Sequence, residues 1–224
     1  MPNFPQCISF DVGGTLMEPW PSVGAVYADV ARTAGIPIDA VHLNQRFADA
    51  WVTARKTPGG FDYSRSAWKR LVQLTFGDAL PQARTDDVFE TIWHRFEWPE
   101  VWKVHPDVFP TLKHLQSRGV RLTVLSNWDE RLRPLLRQLG LADFFEDIVV
   151  SGEVGLHKPD PALFEYAARR WAVEARSILH VGDSEREDLQ GPQKVGWQAV
   201  LIDRSDSRRT NSMVKLDELI EWIG

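Results

Sequence analysis

Apolar residues in this chain change their period near residue 105. Before it they recur three and four places apart. The sets are Val23, Tyr27, Val30 and Ala31, closed by Gly35; Leu43, Phe47, Ala50 and Trp51 within 41–54; Trp68, Leu71, Val72 and Thr75 behind a Ser64 N-cap; and Val88, Ile92, Trp93 and Phe96. That spacing predicts helices, and no strand is expected in residues 17–100. Arg55-Lys56-Thr57-Pro58-Gly59-Gly60 reads as a loop. Beyond residue 105, helices at 108–117, 130–139, 161–170 and 185–195 alternate with short apolar runs. The runs are Val120-Arg121-Leu122-Thr123-Val124-Leu125, Ile148-Val149-Val150, Ile178-Leu179-His180-Val181 and Ala199-Val200-Leu201-Ile202. A last helix is expected at 215–223, and Cys7-Ile8-Ser9-Phe10 supplies one more strand.

Strands rich in Val, Ile and Leu that alternate with helices predict an α/β fold, a doubly wound parallel sheet covered on both faces. The body is expected to comprise residues 1–16 and 101–224. Residues 17–100 form a helical domain inserted after the first strand. The 224 residues, 43% hydrophobic and 25% charged, suit a soluble body plus an insertion. A net charge of -5 argues against nucleic acid as a partner. The single cysteine, Cys7, excludes an intrachain disulfide and suggests a reducing compartment. No run has the length of a membrane span, and residues 1–20 lack a signal-peptide shape. The expectation is a cytoplasmic protein without a membrane partner, either a monomer or a homodimer.

In an open parallel sheet, ligands bind beyond the carboxyl ends of the strands. Asp11 follows the first strand. Ser126-Asn127 follows Thr123-Val124-Leu125. A loop reaching Lys158-Pro159-Asp160 follows Val149-Val150. Gly182-Asp183-Ser184 follows Leu179-His180-Val181, with Glu187 and Asp188 close behind. Carboxylates, a hydroxyl and a lysine on one rim suit phosphate chemistry. An aspartate can attack phosphorus, carboxylates can hold Mg2+, and a lysine and a hydroxyl can hold phosphoryl oxygens as charge shifts.

The order and spacing resemble the haloacid dehalogenase (HAD) superfamily. Its first motif, Asp-x-Asp-Gly-Thr, matches Asp11-Val12-Gly13-Gly14-Thr15 at all but one position. Its second matches Ser126, its third Lys158-Pro159, and its fourth Gly182-Asp183 with Glu187 or Asp188. The resemblance implies a HAD-like Rossmannoid body with a helical cap and an active site between them. It implies a Mg2+-dependent, phosphatase-like hydrolase of small phosphorylated substrates. Asp11 would be the nucleophile, with Ser126 and Lys158 as catalytic partners. Gly14, Thr15 and Asn127 would bind substrate. Asp11, the Gly13 carbonyl, Asp183 and Asp188 would hold the metal, with Glu187 competing for the place of Asp188.

The departure is Gly13, where family phosphatases carry a second Asp that moves protons. Losing general acid-base help costs about 10²–10⁴-fold. Two other readings follow. One is a phosphate-binding or regulatory protein with impaired turnover. The other is phosphonate or other non-ester cleavage through an imine on Lys56 or Lys69. Blander roles compete as well. Asp11 and Asp183 could be turn or cap residues, and Ser126-Asn127 could simply end a strand. Lys158 could be a solvated loop lysine, and Arg55-Lys56 part of a solvated loop. His157 and His180 read as structural. Trp51, Trp68, Trp93, Trp98 and Trp102 read as packing residues.

Overall fold

The structure is a computed structural model that describes residues 5–56, 60–205 and 212–223. In chain order its elements are β1 (Cys7–Phe10), β2 (Met17–Pro19), α1 (Val23–Thr33), α2 (Ala40–Lys56), α3 (Arg65–Phe76), α4 (Thr85–Arg95), β3 (Trp102–Val104) and α5 (Val108–Ser117). There follow β4 (Arg121–Ser126), α6 (Leu132–Gln138), β5 (Asp147–Val150), α7 (Ser151–Val154), α8 (Pro161–Trp171), β6 (Ile178–Gly182), α9 (Gly191–Lys194), β7 (Gln198–Ile202), β8 (Ser212–Met213) and α10 (Glu218–Ile223). The chain divides into two compact units, one of Met1–Glu18 with Val104–Gly224 and the other of Pro19–Lys103.

The first unit is built on a six-stranded sheet in the order β5-β4-β1-β6-β7-β8. All its pairings are parallel. Pro161–Trp171 lays Leu163, Phe164, Ala167 and Trp171 against Cys7, Leu125, Val149 and Ile178 of the sheet, with Trp197 closing the cluster. Parallel strands buried on both faces tolerate few polar side chains, which is why β1, β4 and β6 read as nearly unbroken apolar runs. The register places Ser9 opposite both Thr123 and His180. β1 therefore lies between the two strands whose tips carry the other candidate groups. The strand order reverses beside it, the place where such sheets bind ligands.

The second unit is helical. α1 starts at Ser22, whose hydroxyl accepts the Ala25 N–H at 3.1 Å, and α3 starts at Ser64, which caps Ala67 at 3.1 Å. Both are the side-chain caps that helix starts require. Its core joins Tyr27, Val30, Leu43, Val72, Phe76 and Ile92. A second cluster sets Trp51 against Trp68, stacked at 5.9 Å, with Phe61 edge-on to both. Trp93 is buried among these helices. Trp102 donates its indole N–H to the Phe96 carbonyl at 3.1 Å. Trp98 is the exposed member of the set, with Arg95 over its ring.

Several sequence expectations need correction. Residues 17–100 contain the short strand β2, which pairs with β3 where the chain passes between the units. Arg55 and Lys56 are not loop residues but the last turn of α2, where cations suit the helix dipole. Residues 57–59 of that expected loop lie outside the described residues. The helix expected at 185–195 is a π-helical turn, Glu185–Gln190, followed by α9. The helix expected at 130–139 is shorter, and the final one begins at Glu218. β8 extends the sheet by two residues, too short for any alternating pattern to register. Among the described residues no helix is long and apolar enough to cross a membrane.

One half-buried ion pair ties the C-terminal part of the first unit to its N-terminal loop. Arg204 donates to Asp107 at 2.9 and 2.7 Å and to the Thr15 carbonyl at 3.2 and 2.7 Å, while Asp107 also accepts the Leu216 N–H at 2.6 Å. Burial alone would raise the Asp107 carboxyl, but the Arg204 and Leu216 hydrogen bonds outweigh it and hold it below the usual carboxylate range. Because the folded-state value is depressed, this stabilisation is present above the unfolded value and is lost as pH falls through the folded one. Asp107→Asn should therefore cost about 1.5–3 kcal/mol near neutrality. The gap to the native protein should shrink as pH falls below about 4. Urea midpoints of both proteins across that range check it, and a gap that does not narrow in acid would count against the pairing.

Candidate active site

Asp11 leaves the tip of β1 and donates its N–H to the Val181 carbonyl at 2.9 Å, so the backbone is still anchored to β6. The chain then turns tightly. Val12 accepts the N–H groups of Leu16 and Met17 at 2.9 and 3.1 Å, and Gly14 donates to Met17 at 2.8 Å. Gly14 has φ +76, and a Cβ there would lie 2.5 Å from Asp183 Oδ2. Only glycine lets the loop bend this way and pass this close to the carboxylate after β6.

Three strand-end groups meet at Asp11. The Ser126 hydroxyl, at the end of β4, donates to Asp11 Oδ1 at 2.9 Å. Lys158 Nζ donates to the same Oδ1 at 2.7 Å and to Asp188 Oδ1 at 2.6 Å. Asp11 and Asp188 are buried, and so is the Lys158 ammonium between them. Asp183 is the exposed member of the group. Asp11, Asp183 and Asp188 each offer an oxygen within 4.8 Å of the others. Of the two acids that competed in sequence, Asp188 joins the cluster, while Glu187 accepts the Asn127 amide at 3.1 Å.

Asn127 grips the lysine loop. Its Oδ1 accepts the Lys158 N–H at 2.8 Å and its Nδ2 donates to the Lys158 carbonyl at 3.0 Å. Thr15 is buried, its carbonyl held by Arg204. Its hydroxyl has no hydrogen-bond partner among the described residues. Asp183 does not cap the following turn. Ser184 does, accepting the Glu187 N–H at 3.3 Å.

The electrostatics follow from this crowding. Burial raises the Asp11 carboxyl, and the Asp188 charge adds to the rise against the pull of Lys158. For Asp188, burial is outweighed by Lys158 and by the His180 hydrogen bond, and the carboxyl is held far below its usual range. Asp183 is pushed up to about 7, first by the surrounding protein and then by the charges of Asp11 and Asp188. Burial would lower Lys158, but the two carboxylates on it hold the ammonium well above its ordinary value. One ammonium thus faces three carboxylates. An oxygen-rich set with uncompensated negative charge fits a hard divalent cation.

Sequence reasoning gave His180 a structural role and passed over its partner Ser9. His180 is fully buried, with Nδ1 3.0 Å from Ser9 Oγ and Nε2 3.0 Å from Asp188 Oδ1. Burial depresses its protonation. A neutral ring that accepts the Ser9 hydroxyl and donates to Asp188 satisfies all three groups. Together with the Ser184 N–H, 2.9 Å from Asp188 Oδ2, it fixes the orientation of that carboxylate. The signal was present in sequence: a polar residue at the same inward register on two neighbouring apolar strands.

The close pass of Gly14 can be tested. Gly155 shares its positive φ, +77, but a Cβ there meets nothing within 4 Å. Gly155→Ala should cost only the left-handed penalty, about 1–2 kcal/mol. Gly14→Ala should cost roughly 1–3 kcal/mol more through overpacking against Asp183. Equal losses in thermal melts would show that the approach to Asp183 imposes no constraint.

A family model described as hydrolase, haloacid dehalogenase-like hydrolase, matches residues 5–196. The mouse haloacid dehalogenase-like hydrolase domain-containing protein 3 is 34% identical over 208 residues, covering 90% of this chain and 83% of that protein. A glyceraldehyde 3-phosphate phosphatase from Methanopyrus kandleri is 35% identical over 108 residues, 46% of this chain and 44% of its own. The crystal structure of a HAD phosphatase from Thermococcus onnurineus superimposes with a TM-score of 0.71 at 28% identity, covering 97% of each chain. The family match along most of the chain, on a fold that gathers the four motif positions at one rim, makes this protein an enzyme of the haloacid dehalogenase-like hydrolase family.

Proposed function

We propose that the enzyme is a Mg2+-dependent phosphatase of small phosphorylated compounds that works through an aspartyl-phosphate on Asp11. One observation carries the reading. Both Lys158 and Ser126 bond Asp11 through Oδ1. Oδ2 accepts no hydrogen bond from the described residues. Two donors on one oxygen fix the carboxylate in place and leave the other oxygen available to attack phosphorus. The acid cluster beside it fits a cation, and two of the similar proteins are named as phosphatases.

In this reading Oδ2 forms the bond to phosphorus while the bond to the leaving oxygen breaks. Lys158 and the Ser126 hydroxyl lie within reach of the phosphoryl oxygens, where they would balance charge as it develops. Bound by Asp11, Asp183, Asp188 and the Gly13 carbonyl, Mg2+ would supply further positive charge at those oxygens. Asn127 holds the lysine loop, and His180 holds Asp188. Cleavage through an imine on Lys56 or Lys69 has no comparable support: Lys69 makes an exposed ion pair with Asp86 at 2.6 Å, and Lys56 ends α2.

Two measurements test the proposal. Asp11→Asn removes the nucleophile, and phosphate release from a panel of phosphate esters should fall to background. Unchanged release would sink the reading. The metal is tested separately from activity. Mg2+ should raise the Tm of the native protein. In its absence Asp183→Asn, which removes one of three mutually repelling carboxylates, should melt higher than native. A gain of 1 kcal/mol corresponds to roughly 2–4 °C at this size. The variant should also lose most of the Mg2+-induced rise, and an undiminished rise would place the cation elsewhere.

A further inference from the structure

The position that should carry the proton-transferring carboxylate faces an indole. A Cβ built on Gly13 would lie 3.2 Å from Cζ3 of Trp128, a contact tight enough that the ring would have to give way by a few tenths of an ångström. The peptide of Trp128 is held in place. Its backbone N–H donates to Ser151 Oγ at 3.0 Å, and the same hydroxyl donates to the Trp128 carbonyl at 3.1 Å. Gly152 N–H donates to that carbonyl at 2.9 Å. Gly152 is needed for this, since a Cβ on it would come within 2.8 Å of the Trp128 oxygen. Ser151 is fully buried. Trp128 lies two residues beyond Ser126, which bonds Asp11, so the indole belongs to the same strand-end loop as the phosphoryl-holding hydroxyl.

We infer that Gly13 and Trp128 together set substrate choice. The enzyme selects phosphates whose leaving group departs as a stable anion without a proton, namely aryl and acyl phosphates, and disfavours alkyl esters. This rests on the phosphatase reading above. When Asp11 Oδ2 bonds to phosphorus, the P–O electron pair goes to the leaving oxygen. An alkoxide needs a proton at that moment, which a carboxylic acid at position 13 would give and glycine cannot. A phenolate or carboxylate spreads the charge through its own π system and needs none. The indole puts a flat apolar face beside the position the acid would grow from, suited to stacking against such a planar group. Water then attacks the aspartyl-phosphate and releases inorganic phosphate, restoring the Asp11 carboxylate, with the water proton passing to solvent.

The test is the dependence of kcat/KM on leaving-group acidity, since that ratio reports the first bond-breaking step whatever limits turnover. The native enzyme, with Mg2+, is assayed on substituted phenyl phosphates, acetyl phosphate and glycerol phosphate. The inference expects a steep fall as the leaving group becomes more basic. Alkyl esters should be turned over about 10²–10⁴-fold less well than para-nitrophenyl phosphate, the scale of missing acid catalysis. Gly13→Asp alone should recover little of this, because the indole stands in the way. Gly13→Asp with Trp128→Gly should flatten the dependence by raising alkyl turnover, and Gly13→Asp with Trp128→Phe should keep it steep. A flat dependence in the native enzyme overturns the inference, and so does full recovery by Gly13→Asp alone. If Asp11→Asn remains inactive in those cases, the phosphatase reading survives and only the substrate inference fails. Phosphate release from none of the substrates would sink both.

Discussion

The buried ammonium of Lys158 is the constraint on which the rest of the site depends. Three carboxylates offer oxygens within 4.8 Å of one another, and two of them, Asp11 and Asp188, are buried where little water screens their repulsion. Lys158 stands between two of them, 2.7 Å from Asp11 and 2.6 Å from Asp188. Much of the surrounding structure holds that ammonium at that point. Asn127 clamps the peptide of Lys158 from both sides, Asp160 caps the helix that follows, and Phe164 on that helix enters the sheet core. A buried ion pair contributes little net stability of its own, yet removing one partner from it is costly. The arrangement therefore serves the site more than the fold.

Sheet register turns this into geometry. Asp11, Ser126 and Asp183 come from three strands adjacent in space but far apart in sequence, and parallel pairing sets their tips side by side. A slip of one residue in β1 would exchange Ser9 with Phe10, placing a phenyl ring against His180 and breaking the link to Asp188. Ser9 and His180 are thus polar residues in the sheet core because they orient a carboxylate. Arg204 plays a similar part from the far end of the unit, holding the Thr15 carbonyl so that the turn after Asp11 keeps its path.

Much of this was legible in sequence. The apolar runs marked β1, β4, β5, β6 and β7, and Ser126, Lys158 and Asp183, which follow three of them, lie together with Asp188 at Asp11. What was not legible depends on distant partners. Glu187 and Asp188 are indistinguishable by spacing, because a π-helical turn turns Asp188 back beneath β6. Gly182 makes room for it there, since a Cβ on Gly182 would lie 2.3 Å from Asp188 Cγ. The strands β2 and β8 are too short to show a period and exist through their neighbours. Arg55 and Lys56 read as loop because Pro58 and Gly59 follow, but helix α2 runs its full last turn before them. Trp128 was one tryptophan among ten and carried no sequence signal. Its meaning lies wholly in its contact with position 13.

That contact changes the sense of Gly13. Read alone, glycine at this position is a lost carboxylate in an otherwise ordinary site. In the structure that position packs against an indole whose peptide is held by Ser151 on both sides and by Gly152, where a side chain would collide. Several residues agree on that placement, and agreement between independent local choices marks a specified arrangement. Asp11, Lys158, Asp183 and Asp188 gather at one point, and position 13 offers no carboxylate but a glycine packed beside an indole. On the proposed phosphatase reading, a site so composed would favour chemistry in which charge, and not a proton, must be accommodated as the bond to phosphorus breaks.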